Sequence, residues 1–370
     1  MERRDFLRSA TAASLVAATP VALTQRPPQQ PEHNSPTSKE APVSRPENPA
    51  MIYRELGTTG ERVSVIGLGG FHLAKESGMT AQEAVTLVRS ASDQGITFFD
   101  NCWDYNDGIS EVRLGQALKD GYRHKAFVMT KLDARTAKEY DKQLEQSLGR
   151  LDTDVIDLVQ FHEIIRFEDP DRIFADDGAI HAAMAARKAG KIRYIGFTGH
   201  KDPQIHLRMF EVAAEHNFHF DTVQMPINGM DAHFRSFTHN VIPVAEKAGT
   251  GVLAMKTFGD GYILRSGTID PVEALHYSLS QPVSVVITGI DTPEYLTQAL
   301  TAVKTFKPLT PDQTSTFLAK TRDAALTGKF EPFKTSSIFD GTANNPKWLG
   351  SSSGTGLKPS SPKTEEKRVG

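Results

Sequence analysis

The chain of 370 residues carries 42 basic and 45 acidic side chains, a formal charge of −3, with 39% hydrophobic and 24% charged residues. That near balance, with no long basic run in the part able to fold, argues against a nucleic-acid or polyanion surface. The single cysteine, Cys102, excludes an internal disulfide framework and any multi-cysteine metal or iron–sulfur site, so packing must hold the fold, and the length suffices for one large core such as a barrel.

The first eight residues, MERRDFLR, place Arg3 and Arg4 ahead of a weakly apolar stretch of small residues broken by Pro20. Residues 1–25 resemble a bacterial twin-arginine export signal, whose machinery carries folded proteins. The resemblance implies an exported, periplasmic protein, and the stretch is too weakly apolar to predict a stable membrane span. Residues 26–50 are rich in Pro, Ser, Asn and Glu and read as a linker without a core of its own.

The segment YRELGTTGERVSV predicts a β-hairpin around Thr58-Thr59-Gly60. Short β-branched or apolar runs then alternate with longer amphipathic ones, the pattern of βα units. The strand candidates are 65–68, 98–100, 127–131, 155–161, 194–197, 222–225, 251–255 and 283–288. Helix candidates lie between them, the first opened by Thr80 and Glu83 at capping-box spacing. Eight repeats predict a closed (β/α)₈ TIM barrel over residues 51–330, with the hairpin closing its floor. Residues 331–370 form a C-terminal extension whose Gly/Ser/Pro-rich part from about 351 reads as disordered.

Reactive side chains of such a barrel stand where strands end at the carboxyl face. Strand 2 ends at Asp100, with Tyr105 following in FFDNCWDYNDG; strand 3 ends at Lys131 and strand 4 at His162. These types make chemical sense together. A phenol is a poor acid at neutral pH, an adjacent ammonium favours its phenolate, and a carboxylate keeps a buried ammonium charged. An imidazole can donate to a carbonyl oxygen as alkoxide charge develops. The set would polarise and protonate an oxyanion while a hydride reaches carbon, and no side chain supplies a hydride, so a nicotinamide cofactor is implied.

From about residue 52 to about residue 325 the chain resembles the aldo-keto reductases, through RELGTTG…VSVIGLGG, FFDNCWDY, the strand-ending Lys131 and His162, and IGFTGH. The resemblance implies Tyr105 as general acid, Lys131 and Asp100 as the pair that tunes it, and His162 as the group that orients a carbonyl substrate. It also implies NADP(H) or NAD(H) across the barrel mouth. Thr198 stands where the family has a serine for the nicotinamide carboxamide, Gln224 matches its second carboxamide partner, and Gly199 replaces the usual asparagine. Met255 and Lys256 occupy the place of a ring-stacking aromatic. After strand 8, Gly289, Ile290, Tyr295 and Ala299 replace residues that grip the 2′-phosphate and adenine, which leaves the choice of dinucleotide open. Trp103 and His72 are candidates for the substrate wall, and His206, His216 and His219 lack the spacing of metal ligands.

Two other functions share these residues. A strand-end lysine, Lys131 or Lys256, could form a Schiff base as in an aldolase, and the altered cofactor positions suit a non-catalytic dinucleotide-binding barrel that senses redox state or docks on a partner.

Overall fold

The computed structural model describes residues 43–74 and 78–351. The expected signal segment, most of the linker and the tail beyond residue 351 lie outside the described residues. No helix among those described is long and apolar enough to cross a membrane.

The hairpin forms as β1 (Tyr53–Glu55) and β2 (Arg62–Ser64), paired antiparallel with Tyr53 opposite Ser64. Among the described residues, eight parallel strands then close a barrel. They are β3 (Ile66–Gly69), β4 (Phe98–Asp100), β5 (Phe127–Leu132), β6 (Ile156–Phe161), β7 (Ile192–Thr198), β8 (Thr222–Pro226), β9 (Gly251–Met255) and β10 (Val285–Gly289), with β10 returning to β3. Each begins or ends within about two residues of its sequence expectation. Helices between the strands turn apolar stripes onto the sheet; in Ala81–Asp93, Ala84, Leu87, Val88 and Ala91 are buried, at helical spacing. Its start is fixed as expected, since Thr80 accepts from the Glu83 backbone and Glu83 caps Thr80 in return.

The barrel interior is filled by Phe98, Phe127, Met129, Leu158, Tyr194, Leu253, Val285 and Ile287, and Leu56 and Val63 of the hairpin segment join that cluster from below. Gly67, in the run Gly67-Leu68-Gly69-Gly70, points at this filling: a Cβ there would lie 3.0 Å from Ile287 and Val285 and 3.1 Å from Phe98. Packing accounts for it.

The end of the linker differs from expectation, and the extension ahead of residue 351 has structure of its own. The end of the linker is ordered, because the Arg45 side chain is buried between Glu61 at 2.5 Å and Asp157 at 2.8 Å. Residues 331–350 are also ordered, as the short helices Pro332–Thr335 and Gly341–Asn344 and a final turn, Pro346–Leu349. This strap runs to the carboxyl face, where Ile338, Phe339 and Gly341 line the main cleft.

Candidate active site

Alternation along each strand decides what reaches the cleft. Side chains two apart share a face, so Phe127, Met129 and Lys131 of β5 point the same way, and the first two belong to the barrel filling. Lys131 ends that column where apolar filling gives way to polar groups. Phe98 and Asp100 of β4, Leu158 and then His162 beyond β6, Tyr194 and Thr198 of β7, and Leu253 and Met255 of β9 repeat the arrangement.

The buried Lys131 ammonium donates to Asp100, to the Asn101 carbonyl at 2.8 Å and to the Tyr105 hydroxyl at 3.0 Å. The second Asp100 oxygen accepts from Gln224 Nε2 at 2.9 Å. Burial alone would lower the Lys131 pKa, but Asp100 and then Tyr105 outweigh it, so the amine is held charged. Tyr105 differs from the sequence expectation. Burial raises its phenol far above the ordinary value, and the opposing pull of Lys131 does not cancel it. The phenol therefore rests protonated, as a proton donor must, with Lys131 already pulling against the effect of burial.

The His162 ring stands edge-on to Tyr105, with centroids 6.1 Å apart. Its Nδ1 faces Asp133 Oδ1 at 2.8 Å, Cys102 Sγ at 3.3 Å and Asp104 Oδ1 at 3.8 Å. Burial would depress the imidazole, yet Asp104 and Asp133 hold it above its ordinary pKa. Asp104 is raised by burial and by Asp133, and the wholly buried Cys102 thiol is pushed well above its usual range by burial.

Tyr105, Lys131 and His162 open onto a cleft of about 750 Å³ that Thr198, Met255, Lys256, Gly289 and His72 also line. Lys256 adopts φ +59 and places its ammonium 4.4 Å from the Phe339 ring centroid; burial lowers its pKa, with Asp260 opposing. His72 sits over Gly289, where a Cβ would meet its ring at 2.6 Å, and its Nδ1 is 3.9 Å from Asp291. The Gly199 departure has a steric cause, since a Cβ there would lie 2.3 Å from the Ile164 carbonyl.

Two expected residues are placed elsewhere. Gln224 is buried and its amide holds Asp100, so it braces the ion pair from inside the barrel and does not line the cleft. Trp103 turns away from the cleft: its Nε1 donates to Gln146 at 2.7 Å and its ring packs edge-on against Trp348. Sequence reasoning also missed Asp104, Asp133 and Glu163. Asp133 shares the parity of Lys131 two residues on, a signal that could have found it. Glu163 accepts from the backbone of Gly341 at 2.9 Å and Thr342 at 2.7 Å, clasping the strap.

The cleft keeps polar groups for a ligand. The buried Thr288 hydroxyl, which lines it, has no hydrogen-bond partner among the described residues. The Thr198 hydroxyl reaches Met255 Sδ at 4.0 Å, a weak acceptor.

The model of the aldo/keto reductase family matches residues 65–273. The chain belongs to the aldo/keto reductase family. The "L-galactose dehydrogenase" of Arabidopsis thaliana is 36% identical over 155 residues, 40% of this chain and 48% of its own length. The "Aldo-keto reductase YhdN" of Bacillus subtilis (strain 168) is 31% identical over 209 residues, 53% of this chain and 59% of its own. The chain thus spans roughly half the length of these two curated relatives. The holo form of aldo-keto reductase AKR11C1 from Bacillus halodurans superimposes with a TM-score of 0.62 at 22% identity, covering 73% of this chain and 96% of that one, which is a likeness of fold.

Proposed function

We propose that this aldo/keto reductase reduces an aldehyde or ketone to an alcohol with a nicotinamide dinucleotide. The observation that carries the reading is the buried Lys131, bonded at once to Asp100 and to the Tyr105 hydroxyl at 3.0 Å, beside His162 in one cleft. When bound, the dinucleotide supplies the hydride. Thr198, Met255, Lys256, Thr288 and Gly289 are the cleft residues that would hold it, either NADP(H) or NAD(H). Tyr105 gives its proton to the substrate oxygen, Lys131 and Asp100 stabilise the phenolate left behind, and His162 orients the carbonyl.

The test is a screen of aldehydes, ketones and aldoses with each reduced dinucleotide, aldoses included because one relative is named for L-galactose. Tyr105→Phe should abolish reduction while dinucleotide binding, read by fluorescence, stays nearly unchanged. Retention of most activity by Tyr105→Phe would dismiss the phenol as the acid.

The reading extends to place. With Arg3-Arg4 as a twin-arginine signal, the chain would fold and load its dinucleotide before reaching the periplasm, where no free pool of reductant is expected. It would then hold the cofactor tightly and recharge it by oxidising a second substrate at the same site. The loop 256–262 lines the cleft and supports closure over such a ligand. Dialysed exported protein should keep nicotinamide absorbance; an empty protein fully restored by added NADPH or NADH counts against retention and leaves the reductase reading intact.

A Schiff-base alternative narrows to Lys256, because Asp100 keeps Lys131 charged whereas burial lowers the Lys256 pKa. Borohydride trapping of a covalent substrate adduct separates it from the reductase.

A further inference from the structure

His162 stands among several acidic groups, Asp104 and Glu163 at the cleft wall and Asp133 behind it. The titratable groups facing the ring are Cys102 and Asp104 from the loop after β4, Tyr105 beyond them, Lys131 and Asp133 from the end of β5, and Glu163 beside it. The nearby cations are committed elsewhere. Lys131 is bonded to Asp100, and the guanidinium of Arg135 to Asp169 at 3.0 Å and to the His162 and Glu163 carbonyls. Asp133 is fully buried; one oxygen lies 2.8 Å from His162 Nδ1 and the other has no hydrogen-bond partner among the described residues.

A carboxylate at 2.8 Å from a ring nitrogen requires a proton between them. If that proton sits on Nδ1 and the ring is neutral, Nε2 is bare and can only accept. It could not then donate to a carbonyl oxygen, which is the role the site asks of it. With Asp133 ionised, donation from Nε2 into the cleft requires a doubly protonated ring; the competing state is a neutral Nε2–H ring whose Nδ1 accepts from the Asp133 carboxyl or the Cys102 thiol, and it differs by lacking a proton on Nδ1.

We propose that His162 works as an imidazolium, with Nδ1–H bonded to Asp133 and Nε2–H presented to the carbonyl oxygen, and that Asp133 is the positioning residue that maintains this state. The inference rests on the reductase reading for its consequence, though the state of the ring is testable without it. The oxygen on which charge develops then meets a full positive charge in a buried site, where a preorganised donor counts most. Tyr105 remains the group that loses a proton, and the imidazolium offsets the reluctance that burial gives its phenol. The displaced His162 pKa agrees in direction, burial being outweighed by Asp104 and Asp133. The sign follows: a folded pKa above the ordinary 6.5 keeps the charge below that folded value and loses it as pH rises through it. Carbonyl reduction should therefore carry an alkaline limb set by His162.

The experiment is nitrogen-15 NMR of histidine-labelled full-length protein, with the His162 signals assigned by their loss in His162→Gln, alongside pH profiles of kcat/KM. The expected result is a wild-type ring protonated on both nitrogens at pH 7. Asp133→Asn should lower its titration midpoint, shift the alkaline limb to lower pH and cut kcat/KM at pH 7.5 on the order of 100-fold; Asp133→Glu should recover part of both. A wild-type ring that is neutral at pH 7, that carries a metal ion on Nδ1, or that lacks a proton on Nδ1 would overturn the proposal, even if Asp133→Asn failed to fold. So would an unchanged midpoint and limb in a folded Asp133→Asn. Absence of reductase activity in wild type would instead strike the reductase reading, with the NMR result still deciding the state of His162.

Discussion

Lys131 shows how one side chain can serve stability and chemistry together. It is buried among Asp100, the Asn101 carbonyl and Tyr105, and breaking such a pair strands a charge in low dielectric, at a cost of about 3–5 kcal/mol. Lys131→Met should therefore lower the melting temperature and nearly abolish reduction. Lys131→Met with Asp100→Asn removes both charges and should regain most of the stability but none of the rate. A double variant no more stable than the single one would mean that Asp100 is neutralised by something besides Lys131. At this scale the meeting of Asp100, Lys131 and His162 was legible because strand-end position and residue type coincide, with Tyr105 brought in by the loop after β4. Gln224 has a second task that sequence did not show, since its amide nitrogen braces the Asp100 carboxylate. Gly199 marks the same limit: its lack of a side chain reflects the Ile164 carbonyl, where a Cβ would come within 2.3 Å. Gly199→Asn, which restores the family's residue, should destabilise the protein by about 1–3 kcal/mol through overpacking, measurable by urea unfolding; an unchanged midpoint would show that the backbone yields there.

Among the elements, the strap of residues 331–350 was the least legible. Its helices are four residues each, too short for a 3.6-residue period to show, and its apolar residues are scattered singly or in pairs among polar ones. What orders it is tertiary. Lys334, fully buried, pairs with Asp231 at 2.7 Å and Glu331 at 3.0 Å; Glu163 takes two backbone donors from the strap; Asp340 meets His200 at 3.2 Å and Lys201 at 2.8 Å. The barrel strands were legible for the opposite reason, because their apolar runs record burial on both faces. The strap carries Ile338 and Phe339 into the cleft, so loosening it should affect binding more than chemistry. Asp340→Ala should raise KM several-fold with little change in kcat, and should speed proteolysis within residues 331–350. An equal fall in kcat with unchanged KM would indicate that the strap acts on the reacting groups instead.

For the molecule as a whole, the amino end of the barrel is closed by charge as well as by the hairpin. Glu61 and Asp157 share Arg45 and Arg193, and Asp157 also meets Arg123 at 2.9 Å, so two buried carboxylates lie among three guanidinium groups. Arg45 comes from residues that composition assigned to a linker, and the misreading has a physical basis: one buried arginine with distant partners leaves no periodic trace. The network lies at the opposite end of the barrel from the cleft, which separates its consequences from those of the catalytic set. Glu61→Gln leaves Arg45 and Arg193 short of a carboxylate, and stranding buried charges costs about 3–5 kcal/mol. At roughly 2–4 °C per kcal/mol for a large domain, the melting temperature should fall by about 6–20 °C. Removal of residues 1–47, which takes Arg45 away while leaving Arg193 on both acids, should cost less. Rates measured well below the melting point should be unchanged in both variants, since neither touches Tyr105, Lys131 or His162. A thermal unfolding series with kcat/KM for each variant decides the matter. An unshifted melting temperature for Glu61→Gln would show that the network is neutral in stability, and a lost rate at full stability would show that floor and cleft are coupled through the barrel filling of Phe98, Phe127 and Tyr194.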